Sequence, residues 1–248
     1  MSRTIDVLNP DSPRRVLMVA ANPSVSPVTG WPIGFWWAEL THPWLAFTEA
    51  GYRVDIASPD GGALEPDGFS DPEHESGYSA DDIISLGFAH SPAHRALIAD
   101  TPSIASVDPA GYDAVFLVGG QSPMVTFVDH AGLHDLVAAF FDAGKPTAVV
   151  CHATCVLLSA RTSGGRLIVE GRTWTGFADA EEQYADDVVG RRLQPFRIEE
   201  RARAMGNTNF ITGGPFRSHA VRDGNLITGQ QQYSGAAAAK LVIEALGV

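Results

Sequence analysis

A chain of 248 residues with 45% hydrophobic and 19% charged side chains can fill a complete core, which excludes a disordered or collagen-like protein and fits one domain spanning 1–248. Seventeen Lys and Arg stand against 29 Asp and Glu, a net charge of −12, and no basic run breaks that balance. No nucleic-acid or anionic-membrane surface is expected, and a small molecule is the expected partner.

No stretch reaches the roughly 18 apolar residues of a membrane span. The opening MSRTIDVLNPDSPRR lacks the apolar segment of a secretory leader, so a cytoplasmic protein is expected. Only two cysteines occur, Cys151 and Cys155. Four apart on a predicted helix, they cannot build a disulfide framework and read as free thiols.

In chain order, Arg15–Ala21 is a Val-rich strand, Phe35–Ala50 a helix closed by Gly51, and Arg53–Ser58 a second strand. Residues 59–109 leave the sheet: Gly, Pro, Asp, Glu and Ser dominate the first half, and a helical patch follows near Ala93–Ala99. So long an excursion reads as a functional loop such as a lid, or as a plain surface insertion. Strand Ala114–Val118, helix Leu133–Ala143 closed by Gly144, and strand Thr147–Val150 resume the alternation. Arg166–Trp174 and Ala220–Thr228 read as hairpins, the second turning at Asp223-Gly224. Helix Ser234–Leu246 ends the chain. Strands alternating with helices predict an α/β protein, a mostly parallel sheet between helical layers.

The strongest chemical signal is Thr147-Ala148-Val149-Val150-Cys151-His152-Ala153, a buried-type strand entering the small-residue helix Ala153–Ala160. A cysteine at such a turn is held out of the sheet, and unpaired N–H groups at the helix start favour its thiolate and can hold an oxyanion. The alternative is a small core residue; for Cys155 that alternative is the preferred reading. His152 need not bond its neighbour's sulfur, because adjacent residues at a strand end point apart. Asp179, Glu181 and Glu182 begin a predicted helix, where acids complement the dipole or can orient a histidine.

The pieces Gly119-Gly120, Val149-Val150-Cys151-His152, Leu167 to Glu182 (LIVEGRTWTGFADAEE) and Asp223 to Gln230 (DGNLITGQ) resemble the ThiJ/PfpI superfamily. Glu39-Leu40-Thr41-His42-Pro43, with Gly51-Tyr52-Arg53-Val54 and Ala57-Ser58-Pro59 after it, narrows the resemblance to its glyoxalase III-like, chaperone-type branch. The resemblance implies a flavodoxin-like three-layer α/β/α sandwich of the class I glutamine-amidotransferase type, a homodimer and no cofactor. It also implies roles: Cys151 as nucleophile, His152 beside it, Glu182 (or, one residue off, Glu181) as the histidine's acid, and Glu39 as the carboxyl bonded to the cysteine. Two anions in a partly dry pocket repel, so Glu39 should have a raised pKa.

The departures from the branch pattern crowd one place. Gly119-Gly120-Gln121-Ser122-Pro123 stands for Gly-Gly-His-Gly, so an oxyanion donor must come from Gly120 or Gln121, Pro123 having no N–H. Gly229-Gln230-Gln231-Gln232-Tyr233 stands for Gly-Gln-Asn-Pro, and Ala153 replaces a glycine. Phe216, Arg217 and His219 after Gly213-Gly214-Pro215 line the pocket or decorate a loop. Four of five tryptophans fall at Trp31, Trp36, Trp37 and Trp44; Trp36 and Trp37 lie about 100° apart on a helix, so all four cannot enter one core. They pack in the core or a dimer contact, or Trp37 belongs to an aromatic substrate wall. The pairs His90/His94 and His130/His134 bring no third ligand, and no metal is expected.

Three functions follow. The first is a cofactor-independent enzyme converting a 2-oxoaldehyde to a 2-hydroxy acid through Cys151. The second uses the same sulfur on a bulkier electrophile, such as an isonitrile, an amide or a biosynthetic intermediate. The third is a non-catalytic holdase or cysteine redox sensor.

Overall fold

The computed structural model describes residues 14–247, so residues 1–13 of the opening segment lie outside the described residues. Strand β1 (Arg15–Val19) leads through the short hairpin β2 (Ser24–Val25) and β3 (Pro32–Ile33) to helix α1 (Trp37–Glu49) and strand β4 (Arg53–Ala57). Gly51, at φ +82°, closes α1 in the left-handed conformation that its lack of a side chain permits. The excursion carries α2 (Ile83–His90) and α3 (Pro92–Ala99). Then come β5 (Ala114–Leu117), the single turn α4 (Pro123–Thr126), α5 (Ala131–Asp142) and β6 (Thr147–Val150). The last third holds β7 (Thr173–Trp174), α6 (Asp179–Val189), α7 (Ile198–Ala204), β8 (Asn209–Phe210), β9 (Ala220–Asp223), β10 (Leu226–Gly229) and α8 (Gly235–Leu246).

Six strands form the main sheet in the order β4-β1-β5-β6-β10-β9. All its pairings are parallel except that of β9 with β10. Helices flank it, and every residue of β5 and β6 is buried, which is why their sequences, AVFL and TAVV, do not alternate with polar residues. From β1 the chain passes to β4 on one side and then to β5 on the other. Crossovers that diverge in this way open a crevice at the carboxyl ends of the strands. Gly119-Gly120, after β5, and Cys151, after β6, stand at two neighbouring strand ends there.

Three local expectations are corrected. Arg166–Trp174 is not a hairpin: Thr173-Trp174 pairs parallel with Asn209-Phe210, a partner 36 residues away that no local pattern announces. The helix expected at Ala153–Ala160 is a 3₁₀ helix over Cys151–Leu158. The excursion holds a second helix, α2, besides the patch foreseen at Ala93–Ala99. Its start signal is Asp82, whose carboxylate accepts from Ser85 N–H at 3.1 Å, as Ser91 followed by Pro92 starts α3. The Ala220–Thr228 hairpin does turn at Gly224, with φ +65°.

Candidate active site

Strand β6 runs into Cys151, which takes φ +56°. That left-handed conformation costs a non-glycine residue about 1–2 kcal/mol and persists only where the surroundings impose it. Here Thr154 Oγ1 donates to the Cys151 carbonyl at 2.6 Å, tightening the turn. The elbow swings Sγ out of the sheet into a cleft, with only 2% of the residue exposed. Two glycines make room beside it. A β-carbon on Gly119 would collide with Glu39 Oε2 and Cys151 Cβ, and one on Gly120, at φ +124°, would strike the Gly34 and Phe35 backbone.

Glu39 sits in the first turn of α1, wholly buried. Neither of its oxygens has a hydrogen bond of normal geometry; the polar groups facing it are Cys151 Sγ and the Gly119 N–H. Burial raises its pKa to about 7, the direction expected from the sequence. The thiol departs from expectation. Burial pushes the Cys151 thiol well up and Glu39 pushes it further, while the His152 and Gly120 N–H groups pull it back only in part. Removing water from the sulfur outweighs the donors of the turn, so the turn alone does not deliver a thiolate. Glu39 and Cys151 therefore form one coupled acid pair, in which two negative charges do not coexist at neutral pH.

His152 Nδ1 lies 3.5 Å from Cys151 Sγ, so the neighbours do meet across the elbow. Its Nε2 lies 3.0 Å from Glu182 Oε1, and its ring stacks on Phe177 at 4.0 Å. Burial alone would favour the neutral ring, but Glu182, with Glu39 and Asp67 behind it, reverses this and raises the His152 pKa. Glu181 faces elsewhere. It accepts from Ala178 N–H at 3.1 Å, Phe216 N–H at 2.8 Å and Gln230 Nε2 at 2.8 Å, pinning the Phe216 loop to the start of α6. The one-residue ambiguity is thus resolved by geometry: Glu182 meets the imidazole and Glu181 does not.

The cleft over Cys151 has a volume of about 150 Å³. Of the five residues placed in the pocket from the sequence, Gln121 and Phe216 line it, and Gly120, Trp37 and Ala153 do not. Trp37 is buried in the core, its ring 5.0 Å from Phe35 and 5.9 Å from Phe88. Trp36, the extended residue just before α1, turns into the cleft instead, and Trp31 joins it. Ala153 is fully buried inside the 3₁₀ turn. Among donors from the Gly120 loop, the Gln121 N–H is already committed to Asp67 Oδ2 at 2.6 Å, which leaves the Gly120 N–H facing the sulfur.

Asp67 is the residue that sequence reasoning missed. Its other oxygen accepts from Gly34 N–H at 3.0 Å, so one buried carboxyl ties the excursion to the loops on either side of Cys151. Burial raises it to about 7 despite those two donors. Pro66-Asp67-Gly68 reads as an ordinary turn, and only the long-range hydrogen bonds distinguish it. The excursion also supplies Phe69 and Tyr78 to the cleft wall, and Gln232, from one of the divergent segments, lines the cleft and donates to Tyr78 OH at 3.1 Å.

His90 faces Glu73, His134 faces the Phe127 carbonyl, and His130 caps α5. Among the described residues no group of three or more His, Cys, Asp or Glu side chains is placed to hold a metal ion, and no helix is long and apolar enough to cross a membrane.

A parallel sheet with a strained cysteine at its crevice, flanked by a buried acid and an acid-paired histidine, defines an α/β protein with a cysteine-centred site. The chain belongs to the DJ-1/PfpI family, whose model matches residues 34–245. The glutathione-independent glyoxalase HSP31 of Saccharomyces cerevisiae is 25% identical over 244 residues, covering 95% of this chain and 99% of that one. Glyoxalase 3 of Candida albicans is 24% identical over 218 residues, covering 86% and 89%. The solved structure of Rapid Encystment Protein 24 KDa of Francisella tularensis shares the fold at a TM-score of 0.83 and 23% identity, covering 95% of this chain and all of that one.

Proposed function

We propose that this protein is a cofactor-independent glyoxalase that converts a 2-oxoaldehyde and water into a 2-hydroxy acid, with Cys151 as nucleophile. One observation carries the reading: Cys151 Sγ lies at the floor of an apolar cleft, facing a carboxyl held near neutrality on one side and an acid-paired imidazole on the other. The glyoxalase names of two relatives across most of the chain support it.

In this reading Sγ attacks the aldehyde carbon as its proton passes to Glu39, and the new oxyanion takes a proton from Glu39 or His152, giving a hemithioacetal and leaving that group free to act as a base. The Gly120 N–H faces the place where negative charge develops. The group so freed, Glu39 or His152, then removes the hydrogen from the aldehyde carbon as the neighbouring ketone oxygen is protonated, and a proton is added to the second carbon as the hydroxyl on the first carbon loses its own. The product is a thioester of the 2-hydroxy acid. Water cleaves the carbon–sulfur bond, releasing the acid and restoring the thiol. The aldehyde carbon is oxidised and the ketone carbon reduced by the same two electrons, so no external redox partner is needed. Glu182 keeps the imidazole oriented and favours its protonated form. The enzyme is proposed to act in the cytoplasm as a homodimer.

The test is direct. The protein should form lactate from methylglyoxal without glutathione, and Cys151→Ala should form none. Absence of any 2-hydroxy acid at micromolar enzyme with several 2-oxoaldehydes would refute the reading.

A further inference from the structure

The cleft is polar only at its floor, at Gln121, Gln194 and Gln232, and at the tyrosine hydroxyls. Above the sulfur the cleft is lined by Trp31, Trp36, Phe69, Tyr78, Tyr184 and Phe216. These rings already pair edge to face or at a tilt: Trp36 with Tyr78 at 6.0 Å, Trp31 with Phe69 at 6.4 Å, and Tyr184 with Phe216 at 5.2 Å. Tyr78 is 47% exposed and Tyr184 55%, with Val188 beside them at 70%. Large apolar side chains left open to water around one opening are surface that a ligand covers.

The wall is built, not incidental. Phe216 takes φ +52°, and its N–H is held by Glu181. Gln231 Nε2 fixes the next carbonyl, that of Arg217, at 2.9 Å, and Gln232 reaches Tyr78. The divergent glutamine segment therefore shapes the aromatic walls without touching the sulfur.

The methyl group of a three-carbon oxoaldehyde, with its carbonyls on the floor, would leave most of those rings uncovered. An apolar cavity of about 150 Å³ has room for a benzene ring. Resting on the reading above, we infer that the preferred substrate of this site is a 2-oxoaldehyde carrying a planar aromatic substituent, the ring lying between the Trp36–Tyr78 and Tyr184–Phe216 pairs and the two carbonyl carbons at Cys151. Offset and edge contacts on both sides favour a flat ring over a saturated one of the same bulk.

The experiment compares kcat/KM for methylglyoxal, cyclohexylglyoxal and phenylglyoxal, each scaled by its non-enzymatic reaction with a free thiol. A second arm measures protection of Cys151 from iodoacetamide by hydroxyacetone and by 2-hydroxyacetophenone, which carry a carbonyl but no aldehyde. Phenylglyoxal should exceed methylglyoxal by about a hundredfold and cyclohexylglyoxal by several-fold. 2-Hydroxyacetophenone should protect at concentrations at least about tenfold lower than hydroxyacetone does. In Trp36→Ala the phenyl-to-methyl ratio should fall at least about tenfold. Equal scaled rates for phenyl and methyl, or for phenyl and cyclohexyl, would overturn the inference and leave the glyoxalase reading standing. No turnover of any oxoaldehyde would defeat the glyoxalase reading, and the protection arm would still decide the aromatic preference: equal protection by the two ketols overturns it.

Discussion

Replacing Glu39 by glutamine should make the protein more stable and catalytically inert, and the stability gain should depend on pH. A carboxyl whose pKa is about 7 when folded, against about 4.5 when unfolded, binds its proton more tightly in the native state. Below about pH 4.5 both states are protonated and the group is neutral in its effect. Between about 4.5 and 7 the unfolded state ionises while the folded state resists, so stability falls as pH rises; above about 7 the full deficit is present. At about 1.4 kcal/mol per tenfold difference in proton affinity, that deficit is about 3 kcal/mol. Glutamine has the same shape and no charge to desolvate, so Glu39→Gln should be about 2–3 kcal/mol more stable at pH 8, a Tm rise of roughly 4–12 °C for a chain of this size. The gain should shrink toward zero by pH 4.5. Urea unfolding of both proteins at pH 8 and pH 5 measures it. A gain of the same size at both pH values, or none at pH 8, would refute the account of a buried, proton-hungry carboxyl. The variant should also lose hydroxy-acid formation by about 10²–10⁴-fold, and the parent's kcat/KM should decline below pH about 7 as the Glu39–Cys151 pair takes up its second proton.

Other expectations follow from the same geometry. Glu182→Gln removes the charge 3.0 Å from His152, so the His152 titration followed by NMR should move to lower pH, with kcat/KM down about a hundredfold; Glu181→Gln should move that titration much less. Asp67→Asn leaves one carbonyl oxygen for two backbone donors, so the Gly120-Gln121 loop loosens and kcat drops by about tenfold or more, while iodoacetamide still reaches Cys151. Trp37→Ala should cost about 3–5 kcal/mol in urea unfolding, whereas Trp36→Ala should cost under about 1 kcal/mol, a contrast that separates core from cleft. Gly119→Ala should abolish turnover, because its methyl group would displace Glu39 and Cys151 together.

Hydrophobic patterning in the chain was enough to determine the parallel sheet, the α1 and α5 crossovers closed by Gly51 and Gly144, and the position of Cys151 at a strand end. These depend on neighbours in sequence: periodicity, a terminating glycine, a Val-rich run. Resemblance added the roles of Glu39, His152 and Glu182, with Glu181 as the alternative acid. Tertiary structure decided what depends on partners distant in sequence. It separated Glu182 from Glu181, because one faces His152 and the other the Phe216 loop 35 residues on. It sent Trp36 to the cleft and Trp37 to the core, a difference of one residue at the start of α1. It made Asp67, an undistinguished turn aspartate, the tie between two loops, and it paired Thr173-Trp174 with a strand beyond α7. It also reversed the expected ionisation of Cys151. A strand-to-helix turn written in the sequence supplies N–H donors, but the loss of water that outweighs them arises only when the excursion, α1 and α6 close over the sulfur.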